Sequence, residues 1–178
     1  MDEKQFAQLS LVRLVAPDKY EDMQKSLALK AGQDGWMPDS VVSKSHIPYQ
    51  FDHLSDPVET QKTVKNILAN EYTNYDGGIP GNDYSGQLSA WYVFSAMGFY
   101  PLSPASDKYQ LSSPIFSEVE LNLNQKYYPG KQFRITLDDP DTYKTFNQVE
   151  LNGKSVPFIL MHEDISKGGK LKFSNSEK

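Results

Sequence analysis

The sequence contains no cysteine, which removes disulfides, thiolate metal sites and thiol nucleophiles together. Its three histidines, His46, His53 and His162, stand at spacings that no histidine-built metal site uses. No apolar run approaches the roughly 18 to 20 residues of a membrane-spanning helix. Basic residues are not in excess either. Eighteen Lys and Arg against 23 Asp and Glu give a net charge of −5, so there is no electrostatic footprint for nucleic acid and no basic face for an anionic membrane. A nucleophile elbow, a glycine-rich phosphate cradle and an HExxH pair are also missing. The opening segment MDEKQFAQLS is too polar for a secretory leader, so the sequence gives localisation no address.

What is present is a chain of 178 residues, 38% hydrophobic, sufficient for one ordinary domain or two small ones with a packed core. Aromatic residues make up 12%, eleven of them Tyr, a content that suits an aromatic core or a sugar-stacking surface.

The first half reads as helical. Phe6, Leu9, Leu11, Val12 and Val15 recur at helical spacing, Pro17-Asp18 interrupts, and Met23, Leu27 and Leu29 mark a second helix, which together predict a helical hairpin. Gln33 to Ser40 is a turn. Asp56, Pro57 and Glu59 then form a helix start, with a cap, a proline at the first position and an acid where a capping box places it. That helix is expected to run to about Tyr72, burying Val64, Ile67, Leu68 and Tyr72. A loop rich in Gly, Pro, Asn and Asp leads into a second strong stripe of Leu88, Trp91, Tyr92, Ser95, Ala96 and Phe99, closed by Gly98 and Pro101.

From about Asp107 the period changes to two. Val119, Leu121 and Leu123 alternate, then Phe133, Ile135 and Leu137, then Val149 and Leu151. Asn152-Gly153 is a hairpin signal, with Val156 and Phe158 on the return strand. Leu171 and Phe173 mark one more strand. Helices first and strands afterwards, with no βαβ alternation, predict an α+β chain whose second part is an antiparallel sandwich segment.

The candidate chemistry lies in Asn82-Asp83-Tyr84-Ser85, directly before the aromatic helix. Asp83 or Ser85 caps that helix, or Asp83 is a carboxylate held at a helix N-terminus for chemistry. Gln87 is exposed on the first turn or holds a polar ligand above the loop. Trp36 is a sugar platform or a core anchor. His46 is a ligand-binding residue or a hydrogen-bonded structural one.

The run GGIPGNDYSGQLSAWYVFSAMGFYPLSPASDKYQLSSPIFSEVELNL, beginning at Gly77, resembles the glycoside hydrolase family 92 pattern GLPGNDDxGQMSAWYVFSALGFYPVxPGxxxYxxGSPLF. SHIPYQFDHLSDPVETQKTVKNIL, beginning at Ser45, is similar to that family's HHIPYLYNYAGxPWKTQ helix, and the residues from Leu151 to Phe173 to its closing strands. The resemblance implies exo-acting, calcium-dependent, inverting α-mannosidases of the N-glycan type, often exported, built from a β-sandwich and an (α/α)6 barrel. It divides this chain into a partial barrel over residues 1–104 and a sandwich segment over 105–178, and implies a fragment with an internal loss near residues 39–44.

The resemblance also implies roles for residues. Asp83 is the retained acid of the family's GNDD; Tyr84 stands where its second acid, the expected general base, falls. Trp36, His46, Asn82 and Gln87 become substrate-binding candidates. Val41 to Ser45 replace the GNEPS that precedes the histidine, removing an acidic side chain beside the expected calcium, and no metal ligand or general acid is assignable. The expected function is that of a fragment or divergent relative with weak or no activity alone, the alternative being a non-catalytic, glycan-binding or decayed relative. α-Mannoside glycans are the expected ligands. A partial barrel also predicts self-association or a second chain that completes it.

Overall fold

The structure, a computed structural model, describes residue 22, residues 47–49, 56–103, 105–139 and 145–175. The expected N-terminal hairpin (Asp22, which is helical, apart), the Gln33–Ser40 turn, Trp36 and His46 lie outside those residues. The chain forms two compact units, Met1–Tyr92 and Val93–Lys178.

In the first unit, helix α1 spans Pro57–Asn70. Asp56 Oδ1 accepts the Glu59 N–H at 3.1 Å and caps it, while the Glu59 carboxylate pairs with Lys62 at 3.2 Å. Its buried face is Thr60, Gln61, Thr63, Val64, Ile67 and Leu68, lying beside a 3-10 turn, Ile47–Tyr49, whose Tyr49 is fully buried. The helix stops two residues short of Tyr72. Tyr72 instead reaches helix α2, Gln87–Met97, which starts in this unit and ends in the other. Leu88 and Trp91 are its buried residues here.

Among the described residues, the second unit holds eight strands. Phe99–Tyr100 (β1), Lys108–Leu111 (β2) and Ile159–Met161 (β7) form an antiparallel sheet in the order β1-β2-β7. Glu118–Asn122 (β3), Gln132–Leu137 (β4), Gln148–Leu151 (β5), Lys154–Val156 (β6) and Gly169–Ser174 (β8) form a second sheet, in the order β3-β4-β8-β5-β6. A five-residue helix α3, His162–Ser166, follows β7.

Period-two alternation sorts the faces. Phe133, Ile135, Val149, Leu171 and Phe173 turn inward with Phe99, Leu111 and Leu160 from the smaller sheet, making one hydrophobic cluster. The opposite face carries charge: Arg134 bridges Glu118 at 3.0 Å and Glu120 at 2.9 Å, and Lys172 pairs with Asp138 at 2.8 Å. The hairpin signal is realised, with Asn152 at φ 52° and Gly153 at φ 79°, the two left-handed residues a tight hairpin turn requires.

The α+β class holds, but the sheet is not purely antiparallel. β4 and β8 run parallel, Ile135 opposite Leu171 and Leu137 opposite Phe173. β8 enters between β4 and β5, which themselves run in opposite directions, so it must be parallel to one of them. It pairs antiparallel with β5.

Candidate active-site loop

Residues 71–86 connect α1 to α2. Tyr72 anchors their near end: its hydroxyl donates to the Leu88 carbonyl at 3.2 Å, and its ring stacks on Trp91 with centroids 5.9 Å apart and planes 8° from parallel. The Tyr92 ring lies 4.9 Å away, tilted. Beyond it the chain closes a tight turn, Thr73 N–H donating to the Gly78 carbonyl at 2.9 Å and Gly78 N–H to Tyr75 at 2.8 Å. A Cβ on Gly78 would collide with the Thr73 carbonyl, so glycine is required there on steric grounds.

Asp83 anchors the far end. A 3-10 turn, Tyr84–Gly86, precedes α2, with Ser85 and Gly86 both left-handed at φ 54° and 76°. This pair of unusual dihedrals folds the chain back so that Asp83 meets the first turn of the helix. Its Oδ1 accepts the N–H groups of Leu88 at 2.8 Å and Ser89 at 3.3 Å, and its Oδ2 accepts the Ser89 hydroxyl at 2.6 Å. Orphan donors at a helix N-terminus are satisfied by a carboxylate in this way.

The Ser89 hydroxyl above all holds the Asp83 carboxyl below its ordinary value; desolvation opposes it, and the Leu88 and Ser89 backbone N–H groups add to the lowering. Its folded pKa is depressed, so its contribution to stability is present above the unfolded value, near 4. That contribution is lost as pH falls through the folded value. Asp83→Asn is expected to lower the melting temperature by a few degrees at pH 7 and by less at pH 3. Thermal melts of both proteins across pH 2 to 7 measure the difference; an unchanged gap across that range would remove Asp83 from the cap.

Asn82, Asp83, Tyr84 and Gln87 thus come together within six residues. Asn82 is exposed, and its carbonyl accepts Tyr84 N–H at 3.0 Å. Tyr84 projects a ring that is 62% exposed. Gln87, half-buried, is the first residue of α2, its N–H donating to the Tyr84 carbonyl. Sequence reasoning placed Tyr72 as a buried residue at the end of α1 and missed Ser89; these two side chains pin this loop to α2. A hydroxyl on the first turn of an otherwise apolar helix was the available signal for Ser89.

Among the described residues, no group of three or more His, Cys, Asp and Glu could hold a metal ion. Residues 82–87 by themselves do not fit calcium, which takes six to eight oxygen ligands. Asp83 is the only carboxylate between Asn82 and Met97, and both its oxygens already accept protein hydrogens. No helix among the described residues is long and apolar enough to cross a membrane.

The chain superposes on a solved family GH92 alpha-mannosidase from Bacteroides thetaiotaomicron with a TM-score of 0.76 and 28% identity, covering 96% of this chain and 23% of that one. The same enzyme in complex with mannoimidazole gives a TM-score of 0.77 at 26% identity. A family GH92 inverting mannosidase from the same organism matches at 32% identity and a TM-score of 0.70, over 82% of this chain and 20% of that one. An uncharacterized secreted glycosidase of Arthroderma benhamiae is 24% identical over 136 residues, which is 67% of this chain and 18% of that protein. The chain therefore spans about a quarter or less of the length of these relatives. Residues 42–177 match the model of the glycosyl hydrolase family 92 catalytic domain. The protein belongs to glycoside hydrolase family 92.

Proposed function

We propose that the chain supplies the loop-helix and strand portion of an α-mannoside-processing glycoside hydrolase, and that alone it binds α-mannosides without cleaving them at an appreciable rate. In this reading residues 1–104 belong to an α/α barrel and 105–178 to a β-sandwich, and the family's calcium and its general acid come from residues other than those of the loop. The solved relatives' mannosidase descriptions and the mannoimidazole complex support the substrate class. The secreted relative supports export.

One observation carries the lack of turnover. Inverting hydrolysis needs an acid and a base about 6.5 to 9.5 Å apart across the sugar, and residues 82–87 offer one carboxylate, Asp83, closed by three hydrogen bonds to Leu88 and Ser89. Lowering a carboxyl's pKa also weakens it as a base. The neighbouring position holds Tyr84, which brings a phenol and no second carboxylate. Asn82 and the exposed Tyr84 ring remain available to hydroxyls and to the apolar face of a pyranose.

The chain, assayed with an aryl α-mannoside and with α-1,2-mannobiose in added calcium, is expected to release no mannose, and Tyr84→Asp alone is expected to restore none. Turnover that a chelator abolishes would overturn the non-catalytic part of the proposal. A calorimetric titration with methyl α-mannoside tests the binding part, which absence of heat up to high millimolar ligand would remove.

A further inference from the structure

A second aromatic surface lies in the strand unit, on residues that the loop reading does not use. Three segments build it: β2, the turn at residues 124–130, and the start of α3. The Tyr109 hydroxyl and His162 Nδ1 are 2.9 Å apart. Tyr128 meets the His162 ring edge-on with centroids 6.2 Å apart, and Tyr109 lies 6.1 Å from it. Next in the chain, Tyr127 is 68% exposed, with the Lys126 ammonium 5.3 Å from its ring centroid.

Hydrogen bonds tie down the backbone beneath these rings. Asn124 gathers the turn: its side-chain oxygen accepts Lys126 N–H, and its carbonyl accepts the N–H groups of both Tyr127 and Tyr128 at 2.9 and 3.0 Å. Gly130 N–H donates to the Ser166 carbonyl at 2.9 Å, fastening the turn to the end of α3, and His162 N–H donates to the Asp107 carbonyl at 2.7 Å, fastening its start beside β2. Burial, with Tyr128 nearby as a second cause, pushes the Tyr109 phenol up, keeping it neutral and able to hydrogen-bond the imidazole over a wide pH range. Among the described residues His162 Nε2 has no partner, and the ring is exposed.

Rings with apolar faces and polar edges, fixed before a ligand arrives, lose little conformational entropy on binding and match a ligand with one apolar face and a hydroxylated rim. A pyranose is such a ligand. We propose that Tyr127, Tyr128 and His162 form a secondary pyranoside-binding site, separate in sequence from the Asn82–Gln87 loop, with the Tyr faces stacking on the sugar and His162 Nε2 bonding a ring hydroxyl. The choice of an α-mannoside as its ligand rests on the function proposed above.

The test is NMR of the full chain, with assigned aromatic and amide signals, titrated with methyl α-mannopyranoside. Shifts at Tyr127, Tyr128 and His162 are expected, with Tyr127→Ala weakening that event by about threefold to tenfold while leaving loop shifts at residues 82–89 and the melting temperature unchanged. His162→Gln, which keeps a hydrogen-bonding amide, is expected to weaken it less than Tyr127→Ala. Shifts confined to residues 82–89 would overturn this site and leave the proposed function standing. Binding at Tyr127 to Tyr128 by methyl β-galactopyranoside but not by the mannoside would support the site and overturn the mannoside reading. No shift anywhere with either sugar would overturn the site.

Discussion

Trp91→Ala is expected to destabilise the protein by about 3–5 kcal/mol, the usual cost of emptying a large aromatic site. Trp91 is fully buried, so the deletion removes a complete set of packing contacts. It also takes away the face on which Tyr72 stacks, and with it the orientation that lets the Tyr72 hydroxyl reach the Leu88 carbonyl. Domains commonly have only about 5–15 kcal/mol of stability, so the loss is a large share of the whole. The urea midpoint, followed by circular dichroism, should fall sharply, while Trp91→Phe, which keeps a stacking ring, should fall less. Equal losses for the two variants would mean that a ring kept at this position restores neither the packing nor the stacking on Tyr72.

Gly130→Ala carries the second large expectation, for a steric reason rather than a dihedral one. A Cβ at Gly130 would press into the backbone of Lys167 and Gly168, atoms that cannot rotate aside. Overpacking of this kind costs about 1–3 kcal/mol, and here it pushes apart the turn at residues 124–130 and the end of α3. The variant is expected to melt at lower temperature and to shift the NMR signals of Tyr128 and His162 even without ligand. Ala at Gly153, where a Cβ meets nothing but the left-handed φ is strained, separates the two causes. Gly130→Ala with unchanged His162 signals would show that the turn and α3 are not mechanically joined.

How much of this was legible in the sequence depends on the distance over which each feature is decided. Local chemistry was readable: the Asp56-Pro57 start of α1, the Gly98 stop of α2 and the Asn152-Gly153 turn all appear where the residues place them, because each is settled within about four positions. Alternation also named the inward residues of β4, β5 and β8 correctly. It did not reveal strand direction, since Leu171 and Phe173 face the core equally well in parallel and antiparallel pairing. β1, β2, β7 and α3 are too short to establish a period, and their residues are held by partners far away in sequence.

The loop shows the same divide. A polar segment aimed at an apolar helix was plain, and Asp83 was readable as a cap, but the clamp between Asp83 and Ser89 depends on two left-handed residues, one of them a serine that has no intrinsic preference for that conformation. The resemblance to family 92 supplied what periodicity could not, since the belonging rests on a long run of matched residues rather than on any single spacing.

The placement of β8 has a consequence for how the chain is made. β3 with β4, and β5 with β6, are neighbours in sequence and can zip as hairpins while synthesis continues, yet they share no edge with one another until the strand at Gly169–Ser174 slides between them. Up to that moment a nascent chain holds two separate ribbons, each with an apolar side open to water. The ribosome must have released the keystone strand before the two ribbons can become one sheet, so any pause just upstream of Gly169 lengthens the interval in which chaperones, or other nascent chains, find those surfaces first.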